Sequence, residues 1–439
     1  MKRNYIVWLA LVLVLAQGCK KTDENLDRQI VGLGGDTWPQ STLDNWLFTT
    51  FTQPYNISVK YRWDGTEYDN SRTLVPAKIE NVQPLMEMVR NAWIDPYTAE
   101  IGQDFIKTYA PKNYVLVGSV QYNSGGTVTL GEAEGGIKVT LFNVNNFLNT
   151  DRNVAKRVLK TIHHEFTHIL NQTTSYQKEF PLITPAGYTA DWNNSSVFAA
   201  NGFITQYAQA APGEDFAEMV SIMLTEGKQG YEAILRANPS TTAVAQIRKK
   251  EDLVVSYFKQ VWNIDVYALQ NRVQAALNQT APANPADYLG FGKAYTLLNV
   301  NPDGNPGMSS DFTAIYNAAK TGLAAVGNAN RVLNNFALVY TTAGQAILRV
   351  NYTNAAGTAF SANFTYNVTT DASGNINLAL TATDANGLVI APGITSLTNY
   401  LTQNKLTYKY FYSSDFKTEY VGLTKTADNN SFFFGTMSN

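Results

Sequence analysis

With 439 residues, the chain has room for about two or three domains. A content of 45% hydrophobic and 15% charged residues excludes wholesale disorder. A formal net charge of −2, with no long run of like charge, gives nothing that would draw nucleic acid.

The N-terminus reads as a targeting segment. Lys2 and Arg3 precede an apolar stretch over 5–16 that is too short for a membrane span. Ala16-Gln17-Gly18-Cys19 then resembles a lipobox, and Cys19 is the one cysteine in the chain. The expectation is a signal peptide over 1–18, lipid on Cys19 and a polar tether over 19–45. Loss of Lys2 and Arg3 would take the net charge from −2 to −4. Such a chain works outside the cytoplasm, anchored rather than spanning, without a disulfide. Lys20-Lys21-Thr22-Asp23-Glu24-Asn25 resembles the export signals of surface lipoproteins.

A Trp-containing helix is expected over 43–51. Tyr55, Ile57, Val59, Tyr61 and Trp63 alternate with polar residues, the pattern of a half-buried strand. The stretch 84–109 reads as helix interrupted near Pro96, and 114–120 and 136–142 read as strands. A long helix follows over 153–170. A loop-rich region with Pro181, Pro185 and Gly187 leads to a helix from Glu214 that ends at Gly227, a natural C-terminal cap. A further helix is expected over 249–277. After Pro282 the character changes. A helix is expected over 312–325, and beyond Phe336 short alternating strands with turn signals predict an antiparallel sandwich or barrel. The predicted class is α+β, with one domain over 46–282 and a β-rich domain over 283–439.

His164-Glu165-Phe166-Thr167-His168 is an H-E-x-x-H pattern. Positions four apart on a helix lie on the same side, so His164 and His168 can reach one metal ion. Glu165 sits beside them and can take a proton from water, whose pKa zinc lowers from about 15.7 to about 7. His163 points off that side and reads as structural. The chain has three histidines, all within this stretch. A catalytic zinc site usually takes three protein ligands and one water, so the third ligand has to be a carboxylate. A metzincin would need Gly and His where Asn171 and Thr174 stand. The segment Gly213-Glu214-Asp215-Phe216-Ala217-Glu218 offers two acids four apart on one helical face. Glu214 is the predicted ligand. Glu218 is predicted to accept the N–H of a ligand histidine and fix its tautomer. Asp215 reads as surface or capping.

Tyr207 together with the Glu214–Glu218 segment resembles the zinc domain of anthrax lethal factor and its relatives. That resemblance implies Tyr207 as the stabiliser of the oxyanion. The whole layout resembles the substrate import-associated zinc metallohydrolase lipoproteins of Bacteroidota-type bacteria, over the lipobox and roughly 45–275. The resemblance implies a zincin-like fold, a zinc cofactor (Zn2+) and hydrolysis of peptide bonds. It also implies a place at the outer membrane, through a lipid anchor facing the cell surface. A peptide or protein substrate, a TonB-dependent transporter and its binding lipoprotein would be the partners. The competing reading is an import-accessory lipoprotein that binds a substrate and keeps a vestigial or structural zinc site.

Overall fold

A computed structural model of the chain describes residues 38–69, 71–123, 128–129, 131–134 and 137–439. The lipobox, Cys19 and the first part of the tether lie outside the described residues. Among the described residues, no helix is long and apolar enough to cross a membrane.

Helix α1 (Thr42–Leu47) starts on a capping box in which the Ser41 and Asp44 side chains each accept from or bond the other's backbone. It runs on through a π-helical turn, Phe48–Thr52. The expected strand over 55–63 is much shorter: β1 covers Ser58–Lys60 alone. Tyr55 belongs to a helical turn and residues beyond Lys60 leave the sheet, so the alternation there reflects packing without pairing. Helices α2 (Ile79–Val89), α3 (Asp95–Ile101) and α4 (Gln103–Tyr109) follow. The interruption falls at Gly102 (φ 95°) and not at Pro96: a π-helical turn, Arg90–Ile94, runs from α2 straight into α3 and keeps the chain helical through Pro96.

Strands β2 (Asn113–Leu116), β3 (Gln121–Tyr122), β4 (Val128–Thr129), β5 (Gly131–Glu134) and β6 (Lys138–Leu141) come next. Four of them form a sheet in the order β1-β2-β6-β5, parallel except for β5, which runs antiparallel to β6 at the edge. Strand β6 is therefore internal, paired on both sides, and the outer strands are β1 and β5. A Cβ on Gly131 would lie 2.0 Å from the Thr161 methyl, so β5 lies directly on the helix behind it.

That helix is α5 (Arg152–Thr173), capped by Asp151 accepting from Asn153 and Val154 N–H. Its buried face is Ala155, Leu159, Ile162, Phe166 and Leu170, spaced three or four apart. Phe166 meets Trp93, Tyr97 and Phe105 at ring separations of 5.4, 5.2 and 5.9 Å. Phe166→Ala is expected to cost about 3–5 kcal/mol of stability, measured by urea unfolding, because this fully buried ring is the knob those aromatics close around.

Helix α6 (Pro212–Ala237) does not end at Gly227; it bends there (φ 67°, ψ 179°) and continues. Gly227 faces Gln274, whose side chain would lie 2.7 Å from an added Cβ, so both the left-handed backbone and the close approach require glycine. The helix expected over 249–277 is two, α7 (Thr241–Trp262) and α8 (Val266–Thr280). They are separated by Asn263 in the left-handed region and a new cap, Asp265.

The remainder is a closed antiparallel barrel of eight strands: β7 (Leu297–Val300), β8 (Val332–Val339), β9 (Gln345–Thr353), β10 (Ala359–Thr370), β11 (Ile376–Thr383), β12 (Leu406–Tyr412), β13 (Glu419–Lys425) and β14 (Asp428–Ser438). β14 pairs with β7 and β7 with β8, and the ring closes between β11 and β12 at the single pair Ile376–Leu406. In β9 the residues Ala346, Leu348, Val350 and Tyr352 point inward in strict alternation. Helix α9 (Ser310–Ala325) supplies Phe312, whose ring is 4.7 Å from that of Phe433. Two short helices that the alternation did not reveal, α10 (Ala385–Ile390) and α11 (Thr395–Thr402), lie between β11 and β12. Among the described residues there are two separate hydrophobic cores, one built from residues 47–277 and one from 289–433.

Candidate metal centre

Helices α5 and α6 deliver three side chains to one point. His164 Nε2 lies 2.9 Å from Glu214 Oε2 and 3.1 Å from His168 Nε2, and His168 Nε2 is 3.3 Å from the same carboxylate oxygen. A tetrahedral zinc site with bonds of about 2.0–2.1 Å has ligand–ligand edges of about 3.3 Å. The three separations therefore fit one zinc ion. Among the described residues, these three form the group of His, Cys, Asp and Glu that could hold a metal. The donor set of two imidazoles and one carboxylate suits zinc.

The other nitrogen of His164 is also engaged. Nδ1 lies 2.9 Å from Glu218 Oε1, a contact bent away from ideal hydrogen-bond geometry. Glu218 is itself held by Lys160 Nζ at 2.8 Å and by the Thr205 hydroxyl, which donates at 2.5 Å. Burial opposes ionisation of Glu218, but His164 and then Lys160 bring its pKa down to about 2. Lys160 and Thr205 were not singled out in the sequence. Lys160 stands one turn before His164 and was legible in principle from that spacing. Thr205 lies 13 residues before Glu218 in an irregular segment and carries no signal of its own.

Burial also opposes protonation of His164. Glu214 and Glu218 override it and raise the metal-free imidazole to about 9. The reciprocal effect acts on Glu214, where His164 and His168 hold the carboxyl well below its usual range despite burial. Glu165 projects beside the pair and makes no hydrogen bond or ion pair with a described residue. Burial raises its pKa, His164 and His168 temper the rise, and Glu214 and Glu132 add to it. Tyr207 stands in a 3₁₀ turn, Tyr207–Gln209, with its ring 5.8 Å from that of His164 and 4.9 Å from that of Trp192. Burial and the nearby Glu214 keep its hydroxyl protonated far above neutral pH.

Asp215 is neither surface nor cap. It is fully buried, 2.6 Å from the equally buried Lys250 Nζ, and accepts from Tyr188 OH at 2.9 Å. Lys250 comes from α7 and also donates to the Gly202 carbonyl at 2.8 Å. The pair ties the start of α6, and with it Glu214, to α7 and the preceding loop. His163 is fully buried in the core, with Tyr97 at a ring separation of 5.9 Å.

The model of the family described as "Putative zinc-binding metallo-peptidase" matches residues 36–267. The chain belongs to that family. All the residues that converge on the centre fall inside the matched segment, and the barrel lies outside it. A solved structure, described as a putative zinc-binding metallo-peptidase from Bacteroides caccae ATCC 43185, is 33% identical. The match covers 54% of this chain and 92% of that one, with a TM-score of 0.48. No curated protein matches.

Glu218→Gln is expected to weaken zinc binding by about 10–100-fold while the fold persists, measured by competition with a chelator. The amide keeps the shape but loses the charge that favours the correct histidine tautomer.

Proposed function

We propose that this chain is a zinc-dependent metallopeptidase of the Glu-liganded H-E-x-x-H kind, with a zincin-like domain over 46–282. The convergence of His164 and His168 with Glu214, 50 and 46 residues further on, carries this reading. These three side chains would hold the zinc. When bound, the ion supplies Lewis acidity toward a carbonyl and acidifies water. Glu165 is the general base: its unpaired carboxylate, with a pKa raised by burial, takes a proton from the attacking water and passes it to the leaving nitrogen. The Tyr207 hydroxyl donates to the oxygen on which charge develops. Glu218, gripped by Lys160 and Thr205, orients His164. The antiparallel edge strand β5 lies against α5 and offers free backbone groups to an extended peptide.

The family's description supports a peptide substrate. The lipobox supports acylation at Cys19 and display at the outer membrane, and the resemblance to import-associated lipoproteins supports work beside a TonB-dependent transporter. The two separate cores support a distinct C-terminal domain over 283–439. Cleavage of a peptide library by the full chain is expected to stop with a chelator and to return with zinc. Cleavage that persists after the metal is stripped, or a metal-loaded chain that cleaves nothing, would overturn the proposal.

A further inference from the structure

Tyr207 is 36% exposed, so its ring takes its place at the metal centre from the backbone turn that carries it. That turn, Tyr207–Gln209, opens on Gln206, whose side chain does not cap it. The Gln206 amide donates instead to the Asn193 and Ser195 carbonyls, at 2.8 and 3.1 Å. Capping falls to Thr205. Its hydroxyl oxygen accepts from the Ala208 N–H at 3.2 Å, one of the groups that the first turn of a helix leaves unpaired.

The same hydroxyl donates to Glu218 Oε2 at 2.5 Å. The two bonds do not compete, since a threonine hydroxyl has one proton to give and lone pairs with which to accept. Glu218, with its pKa brought down to about 2, is ionised at neutral pH and fixes where that proton points. A charged acceptor makes the bond a strong one and polarises the oxygen toward the amide. Glu218 thus faces two ways. Oε1 meets His164 Nδ1 and Lys160 on the metal side, and Oε2 meets Thr205 on the Tyr207 side. A second tie holds the start of the same segment: Lys250, paired with Asp215, donates to the Gly202 carbonyl at 2.8 Å. Both ties end on α6, one and four residues after Glu214.

We propose that Thr205 is a positioning residue that locks the Tyr207 turn onto the helix supplying Glu214. The phenol and the metal ligands then share one frame, and neither can shift without breaking a charged hydrogen bond. The effect of the lock on turnover rests on the reading of Tyr207 as the oxyanion donor; the lock itself does not.

Thr205→Val keeps the shape and removes the hydroxyl, and Thr205→Ser restores it. Hydrogen exchange in the metal-free chain, followed by mass spectrometry on peptides spanning 203–210, reads the lock directly. Exchange is expected to quicken about threefold to tenfold in Thr205→Val, the worth of one hydrogen bond, and to return to the parent rate in Thr205→Ser. At saturating zinc, Thr205→Val is expected to lower kcat by about 10–100-fold on a peptide that the parent cleaves, with little change in KM. In a Tyr207→Phe background the same change is expected to cost less than about threefold, because the hydroxyl it places is gone. Equal losses in the two backgrounds would mean that Thr205 acts through Glu218 and zinc alone, and would overturn the proposal. Unchanged exchange in Thr205→Val, or no rescue by serine, would do the same. A parent that cleaves nothing would refute the peptidase reading instead, and the exchange rates would then decide the lock by themselves.

Discussion

Glu165→Gln is expected to hold zinc at the stoichiometry of the parent and to hydrolyse peptides about 10²–10⁴-fold more slowly, the usual worth of a general base. The geometry separates the two properties. Glu165 takes no part in the cluster of His164, His168 and Glu214, so replacing its carboxylate leaves the donor atoms untouched. The amide cannot accept the proton of the attacking water. Zinc content by atomic absorption and kcat/KM on a cleavable peptide provide the readouts. A variant as fast as the parent would remove Glu165 from the mechanism and leave the three-ligand cluster intact.

Glu214→Ala is expected to lose zinc altogether at ordinary concentrations, a larger effect than the about 10–100-fold expected at Glu218. It removes one of three donors and leaves two imidazoles. A second consequence shows without any metal. In the metal-free parent the His164 pKa is about 9, above its ordinary 6.5. A raised folded-state pKa stabilises fully below the unfolded value and is lost as pH rises through the folded one. The metal-free parent is therefore expected to lose stability between about pH 6.5 and 9, by on the order of 3 kcal/mol. Glu214→Ala is expected to flatten that slope, since Glu214 makes the leading favourable contact. Urea midpoints across this window would measure it, and equal slopes in parent and variant would refute the electrostatic account. The same proton competes with zinc, so apparent affinity is expected to fall about tenfold per pH unit from this group below about pH 9.

Two helical spacings and one strand pattern were legible from residue order because each depends on local geometry. His164 and His168 share a face at any position of a helix, and Glu214 and Glu218 do likewise. The inward alternation of β10 and β12 reports a half-buried sheet whatever its neighbours are. Residue order could not foresee that β1 would pair over three residues only, or that β6 would lie inside the sheet with β5 outside it. Pairing depends on strands far away in sequence, and 58–60 lies beside 113–115.

Asp215 shows the limit most clearly. An acid near a helix start usually faces water, and here Lys250 from another helix and Tyr188 from a loop bury it. The bend at Gly227 follows the same logic, since its reason is Gln274, 47 positions later. Composition and spacing by themselves determined that two imidazoles and a carboxylate could share one ion, and that the last third would be a closed or layered β-structure. Only the tertiary structure decided what grips Glu218, what buries Asp215, and where a polar cavity opens between the cores. Those answers come from side chains brought together across tens to hundreds of residues, where burial and charge are set by the neighbour and no local period records who that neighbour is.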